Sequence, residues 1–303
     1  MPVRWHLQTP YSRLRRIFGA RCDNRRHPRP RRAHDNKMLV EPQLIVELLL
    51  IGTATGFLAG LLGIGGGMIM VPFISIILDA KGYPADYTVK IAVATSLATI
   101  CFTSLSSVLA HHRRGAVLWP IVRLLAPGIL LGSLAGAQVA VALSGRALSV
   151  MFAMFVAFSA TRMLQNRKPK AARTLPGPLG TFSMGTVIGA VSALVGAGGA
   201  FISVPFMTWC NVKIHDAVGT SAALGFPIAL AGTLGYVWAG RGVPQMPPGS
   251  IGYLYVPGLV LISLASITTA PLGARTAHRM DIRPLQKLFA IVLYALAAYF
   301  LFR

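Results

Sequence analysis

Residues 56–74 read GFLAGLLGIGGGMIMVPFI, and residues 189–207 read GAVSALVGAGGAFISVPFM. Laid over each other with their neighbours, Gly52 to Phe73 on Gly185 to Phe206, they share eleven identities in twenty-two columns, an internal repeat at a shift of 133. Further landmarks recur in the same order. Thr95-Ser96 matches Thr220-Ser221, Pro127-Gly128 matches Pro257-Gly258, Gly136-Ala137 matches Gly273-Ala274, and Phe152-Ala153 matches Phe289-Ala290. Small drifts in the shift are what loops of unequal length give. The chain therefore divides into two related halves, 43–164 and 179–303, joined by a linker over 165–178 and preceded by a basic tail over 1–42.

Both halves read as membrane-embedded. The chain is 54% hydrophobic and 12% charged, against about 25% charged residues in soluble domains. Crossing about 30 Å of hydrocarbon takes roughly 20 apolar residues in a helix. Leu48 to Leu78, Ile91 to Ala110, Leu124 to Gly145, Thr174 to Val212, Ala217 to Gly240 and Gly242 to Ala274 contain no Asp, Glu, Lys or Arg, and Leu288 to Phe302 is a shorter closing stretch. The expected fold is all-α: a polytopic integral membrane protein with about eight transmembrane helices in two four-helix repeats. The first unit of each half is too long for one straight crossing. It is interrupted by GLLGIGGG at Gly60 to Gly67 or by VGAGGA at Val195 to Ala200. Backbone inside a membrane leaves the helix only where protein or water satisfies its polar groups. These units are therefore predicted to be discontinuous or re-entrant, with Pro72 and Pro205 as hinges at the start of each second segment.

The net charge of +21 is unevenly placed. Residues 1–37 hold ten Arg and one Lys against Asp23 and Asp35. With Pro28 and Pro30 among the arginines, this composition predicts a disordered tail lying against anionic headgroups rather than a nucleic-acid-binding domain. Met38 opens MLVEPQLIVELLL, a natural start for a membrane protein, so residues 1–37 are read as an upstream extension absent from the working form. Arg167, Lys168, Lys170 and Arg173 make the linker cytoplasmic by the positive-inside rule, which also holds His111-His112-Arg113-Arg114 on that side. An even number of crossings per half fits both. The loop near Arg275, Arg279, Arg283 and Lys287 resists, because simple alternation puts it outside. Cys22, Cys101 and Cys210 have no metal-type spacing and read as packing residues.

The breaks are where a ligand is expected. A half-helix that starts in mid-membrane aims free amides and a positive dipole end at the midplane, which suits a small anion. Candidate substrate-binding residues are Gly63, Gly65 and Gly66 with Thr95 and Ser96 in the first half. Their counterparts are Gly196, Gly198 and Gly199 with Thr220 and Ser221. Gly52, Gly56, Gly185 and Gly189 sit at helix-packing spacing instead. Among charged residues, only Glu47 and Arg123 lie near the expected helices, each close enough to an end to snorkel. No catalytic residue, metal site or cofactor motif is found: HExxH, GxSxG, a P-loop and paired carboxylates are all missing, and His111-His112 lacks ligand spacing.

The duplicated motif, each copy followed by a TS dipeptide on the next helix, resembles the TauE/SafE sulfite exporter family from about Gln43 to Phe302. The second copy departs from it, with Ala200 opposite Gly67. The resemblance implies a permease of the bacterial inner membrane, eight helices in a four-plus-four duplication, acting on sulfite, sulfonates or other small organic anions. The combined expectation is a secondary transporter, not an enzyme. It works by alternating access at a midplane site, with the bilayer and a small anion as partners. A proton or sodium ion as coupling ion and a second copy of the chain are further partners that the sequence neither requires nor excludes. A passive anion channel and a non-transporting membrane scaffold are the competing readings.

Overall fold

The computed structural model describes residues 42–62, 66–165, 174–244, 246–277 and 283–302. The expectations for the tail, for Gly63 and Gly65, and for the basic residues of the linker lie outside them. The described residues form ten α-helices: α1 Pro42–Leu62, α2 Gly67–Ala80, α3 Ala85–His112, α4 Trp119–Ala142, α5 Gly145–Gln165, α6 Pro178–Val195, α7 Ala200–Trp209, α8 Ile214–Ala239, α9 Val256–Ala277 and α10 Arg283–Phe302. Five of these, α3, α4, α5, α6 and α8, are long and apolar enough to cross a membrane. Large apolar side chains such as Leu50, Leu131, Phe158, Leu264 and Phe302 stand exposed around the bundle, the outer surface that lipid solvates. The chain is a multi-pass membrane protein.

The all-α expectation misses one feature. Between α8 and α9 a two-residue antiparallel ribbon pairs Ser250 with Tyr255 and Ile251 with Leu254 (β1 Ser250–Ile251, β2 Leu254–Tyr255). Gly252 turns it with φ 58° against the Val237 carbonyl, a place no Cβ fits.

Sequence-distant helices pair: α1 with α9, α4 with α6, α3 with α8 and α5 with α10. Glycine determines how close they come. A Cβ built on Gly128 would meet the Phe182 carbonyl, one on Gly132 the Thr186 carbonyl, and one on Gly136 the Ala190 carbonyl. From the other side, Gly185 and Gly189 lie against the carbonyls of Leu125 and Ile129. Gly52 and Gly56 press likewise on Ile262 and Ser266 of α9. In a membrane, helices associate by such close van der Waals contact because lipid leaves no hydrophobic gain between them.

These contacts also fix direction. α4 and α6 run parallel, since 128, 132 and 136 meet 182, 186 and 190 in order. α1 and α9 run parallel for the same reason. α3 and α8 are antiparallel, with Leu97 against Gly232 and Ala116, just past α3, against Gly219. α5 and α10 are antiparallel too. Arg146 donates to the Leu301 carbonyl (2.7 Å), and Thr161 shares a hydrogen bond with Tyr294 (2.6 Å).

The bundle therefore has two ends. The first carries the starts of α3 and α5, because Asp86 accepts from Gly145 N–H (2.8 Å), and α9 begins on that side but partway down α3, where Thr95 accepts from Tyr255 N–H (3.1 Å). The second carries the end of α3 and the starts of α4 and α8. α1 starts at the first end beside α9, and α2 returns there to meet α3. α6 starts at the second end beside α4, and α7 returns there to meet α8. Each broken unit thus goes back to the end it came from, and three helices running from end to end follow it, where an even number per half was expected. The end of α9 and the start of α10 therefore lie at the same end as the end of α5, the start of α6 and the α3–α4 turn.

The glycine contacts at α4–α6 predict that Gly132→Ala destabilises the bundle by about 1–3 kcal/mol, the usual cost of overpacking. Gly177, which faces open space at an ordinary φ, is the control. A thermal melt of purified protein should drop for Gly132→Ala and stay unchanged for Gly177→Ala.

Candidate functional site: the two helix breaks

A helix that stops inside a membrane exposes unpaired backbone groups at both new ends. Here those ends are built from glycines in the left-handed region: Gly66 (φ 64°), Gly196 (φ 71°) and Gly199 (φ 78°), a conformation that costs other residues strain. Gly196 caps α6, its N–H bonded to the Ser192 carbonyl (2.9 Å). The Gly199 carbonyl accepts from Ile202 N–H (3.0 Å), Ser203 N–H (2.9 Å) and Ser203 Oγ–H (3.0 Å), which starts α7. The Gly66 carbonyl accepts from Ile69 and Met70 N–H (both 3.2 Å) and starts α2.

The two breaks meet midway along α3 and α8. A Cβ on Gly67 would strike the Gly196 carbonyl and come within 3.0 Å of Ile100 and 3.1 Å of Ser96 Oγ. Gly196 faces Val71 of α2 and Val93 of α3, and Gly199 faces Ile228 of α8. Residues 195–199 are buried. Gly198 is the roomy position: a Cβ there meets only Ile100, at an ordinary 3.6 Å.

The expected hydroxyls divide into two kinds. Ser96 donates to the Gly196 carbonyl (2.9 Å), joining α3 to the break in the other half. Ser221 shares a hydrogen bond with Ser203 (2.7 Å), which in turn bonds Gly199. Thr95 and Thr220 look away from the breaks. Thr95 accepts the N–H of Tyr255, the residue before α9, and Thr220 accepts that of Leu118, the residue before α4 (3.0 Å). The structure thus gathers Gly66, Ser96, Gly196, Gly198, Gly199 and Ser221, and it gives both threonines to helix starts. Pro72 and Pro205 are not at the start of their segments. Each is the sixth residue of its helix, where it removes one turn's hydrogen bond from the interior.

The free amides expected where a half-helix starts are found at the second break, and a hydroxyl beside them was not foreseen. The N–H groups of Gly198, Gly199, Ala200 and Phe201 make no hydrogen bond within the described protein, so the start of α7 presents four free donors. Beside them Ser192, on the last turn of α6 and 1% exposed, has a hydroxyl without a partner in the described protein. A Cβ on Gly199 would lie 3.2 Å from that oxygen. Its counterpart in the first copy is Ala59, so Ser192 left no repeat signal. Lys90 was missed as well. It lies inside α3 and is 6% exposed, whereas Glu47 is part-exposed on α1, bonded to Gln43 (3.0 Å), and Arg123 is exposed on α4. Tyr83, Tyr87, Tyr253 and Tyr255 lie on the same side of the bundle. Tyr255 there is pushed up to about 12 by burial and by Tyr83, and Tyr253 is raised by burial and by Tyr87 and Asp86, so both keep their protons at neutral pH.

Comparison with known proteins agrees with this architecture. The family model for the sulfite exporter TauE/SafE matches residues 48–300. A probable membrane transporter protein of Haemophilus influenzae is 35% identical over 254 residues, covering 84% of this chain and 96% of the relative. A probable membrane transporter protein of Methanocaldococcus jannaschii is 23% identical, with 85% and 96% covered. The probable membrane transporter protein YunE of Bacillus subtilis is 26% identical, with 82% and 94% covered. No solved structure matches the chain. A family match over residues 48–300, with a relative 35% identical over 84% of the chain, means that the chain belongs to the TauE/SafE sulfite exporter family of membrane transporters.

Proposed function

We propose that the protein is a secondary transporter for a small oxyanion, sulfite or an organosulfonate, bound between the two helix breaks and exposed alternately to the two sides of a bacterial inner membrane. One observation carries the reading: four free N–H groups at the start of α7 and the unpartnered Ser192 hydroxyl converge in a buried place midway through the bundle. Five donors without a full positive charge suit an anion that must bind and then leave. The dipole at the start of α7 adds to this attraction, worth about 0.3–1 kcal/mol at a helix terminus. Reciprocal pairing supports the repeat: the first helix of each half packs on the fourth helix of the other, while α3 pairs with α8 and α5 with α10. Opposite senses of the two broken units are the arrangement that inverted-repeat transporters use to open one site to either side.

The second end is assigned to the cytoplasm. Arg113, Arg114, Lys213 and Lys287 belong to that end among the described residues, and in sequence the linker between α5 and α6 adds four more basic residues. Lys81, Arg146 and Arg241 are the basic residues of the loops at the first end. The ten arginines before α1 pull the other way, and labelling decides between them. In a variant without Cys22, Cys101 and Cys210, a cysteine at Gly242 should react with an impermeant maleimide in intact cells, and one at Arg114 only after lysis. The reverse pattern would invert the orientation.

Transport itself is tested in liposomes. Purified protein truncated at Met38 should take up radiolabelled sulfite beyond empty liposomes and concentrate it only under an imposed ion gradient. Uptake that never exceeds equilibration would make it a channel. No uptake of sulfite, sulfonates or carboxylates would favour the scaffold.

Steric room at the break separates two glycines. Gly198→Ala should fold and keep flux, because its methyl finds ordinary contact, whereas Gly198→Leu should keep insertion and lose flux. Gly67→Ala should weaken the join between the breaks and lower the melting temperature. Wild-type flux through Gly198→Leu would remove the break from the substrate path.

A further inference from the structure

The strongest feature not used above is a buried charge. Lys90 sits in the second turn of α3, is 6% exposed, and makes one hydrogen bond, from Nζ to the Val141 carbonyl at the end of α4 (2.9 Å). A carbonyl satisfies a donor without neutralising a cation. Asp86, one turn earlier, is near enough to act on the ammonium electrostatically, but it is exposed and its Oδ1 accepts Gly145 N–H at the start of α5. An ammonium withdrawn from water without a bonded anion is costly, and charged residues inside membrane spans mark ion or substrate paths. Of its three N–H donors one goes to Val141.

Its place fits such a path. Lys90 is three residues before Val93, or about 4.5 Å of helix rise, and Val93 faces Gly196 at the break. At the shift of 125 that lays Thr95 on Thr220, Lys90 falls on His215, which is exposed. The buried cation therefore exists on the first-end side only. A chain of tyrosines runs from this side to the break: the rings of Tyr87 and Tyr253 lie 6.3 Å apart and those of Tyr236 and Tyr253 6.4 Å apart, and Tyr236 donates to the Ala193 carbonyl next to Ser192 (3.1 Å).

We infer that Lys90 is a second anion subsite of the transport path, a fixed positive charge that receives the oxyanion between the first end and the glycine break. This rests on the transporter reading and adds to it a residue, a charge and a side. The rival role is a staple: Asp86 holds the start of α5 and Lys90 the end of α4, each complementing a helix dipole. The two roles differ in what they move. A staple alone changes the stability of the bundle, and a subsite also changes its affinity for the anion.

Lys90→Gln keeps an N–H donor and loses the charge, whereas Lys90→Arg keeps both. Sulfite and methanesulfonate uptake should be measured in liposomes, together with the rise in melting temperature that each anion gives the purified protein. Lys90→Gln is expected to raise the half-saturating concentration about tenfold or more, the usual weight of a charge-assisted hydrogen bond, and to blunt the anion-induced rise in melting temperature. Lys90→Arg should stay within a few-fold of wild type. Wild-type half-saturation and wild-type anion stabilisation in Lys90→Gln would overturn the subsite and leave the staple. If Lys90→Gln does not fold, Lys90→His takes over: with methanesulfonate, whose charge is constant, its half-saturation should improve from pH 8 to pH 5.5 relative to wild type, and a flat ratio would overturn the subsite. If wild type itself neither moves nor is stabilised by any anion in the panel, the transporter reading fails first, and the subsite with it.

Discussion

A peptide group in hydrocarbon has no water to bond, so an unpaired N–H or C=O there costs several kcal/mol, on the order of a whole tertiary contact. Everything unusual in this protein follows from breaking two helices under that constraint. At each break the chain needs a residue that tolerates the left-handed region, partners for the freed carbonyls, and shelter from lipid. Gly66, Gly196 and Gly199 meet the first need. Ser96, Ser203 and the backbone amides of the following turn meet the second. α3 and α8, which pack on each other around the breaks, meet the third. The four amides at the start of α7 and the Ser192 hydroxyl remain unpaired at the second break in the described protein.

Close approach is the second condition. For the two breaks to touch, their helices must come nearly into backbone contact with neighbours from the other half. Glycine stripes on α1, α4 and α6 provide that. The carbonyl of Gly196 lies where a side chain on Gly67 would begin, and Ser96 reaches the same carbonyl. The site is therefore made by both halves at once, and a shift of one half against the other would change its shape. The TS dipeptides serve the same end by division of labour. The serines bind at the breaks, and the threonines hold the residues just before α4 and α9.

The halves are unequal in chemistry where they are alike in path. Ser192 has Ala59 as its counterpart, Ala200 stands opposite Gly67, and the buried Lys90 corresponds to an exposed His215. An inverted pair with different chemistry on its two sides has a built-in direction of electrostatic preference. A perfectly symmetric pair would not.

Much of this was legible in the residues alone. Uncharged runs longer than a bilayer is thick have one stable solution, the buried helix. Glycine clusters with a following proline mark a break wherever they fall, and a motif that occurs twice announces two related units. The roles of Gly52, Gly56, Gly185 and Gly189 in packing followed from their spacing. Which contacts they make did not, because partners over 200 residues away, such as Gly56 and Ser266, leave no local trace. The same holds for the return of α2 and α7 to the ends where α1 and α6 begin, which sets at which end each later helix starts. Lys90 was hidden for a related reason: one lysine next to an apolar run looks like a helix end, and only the arrival of Val141 from α4 buries it. Composition and period determined what each segment is. The tertiary structure decided what each faces, because burial and pairing of polar groups depend on neighbours that sequence distance does not reveal.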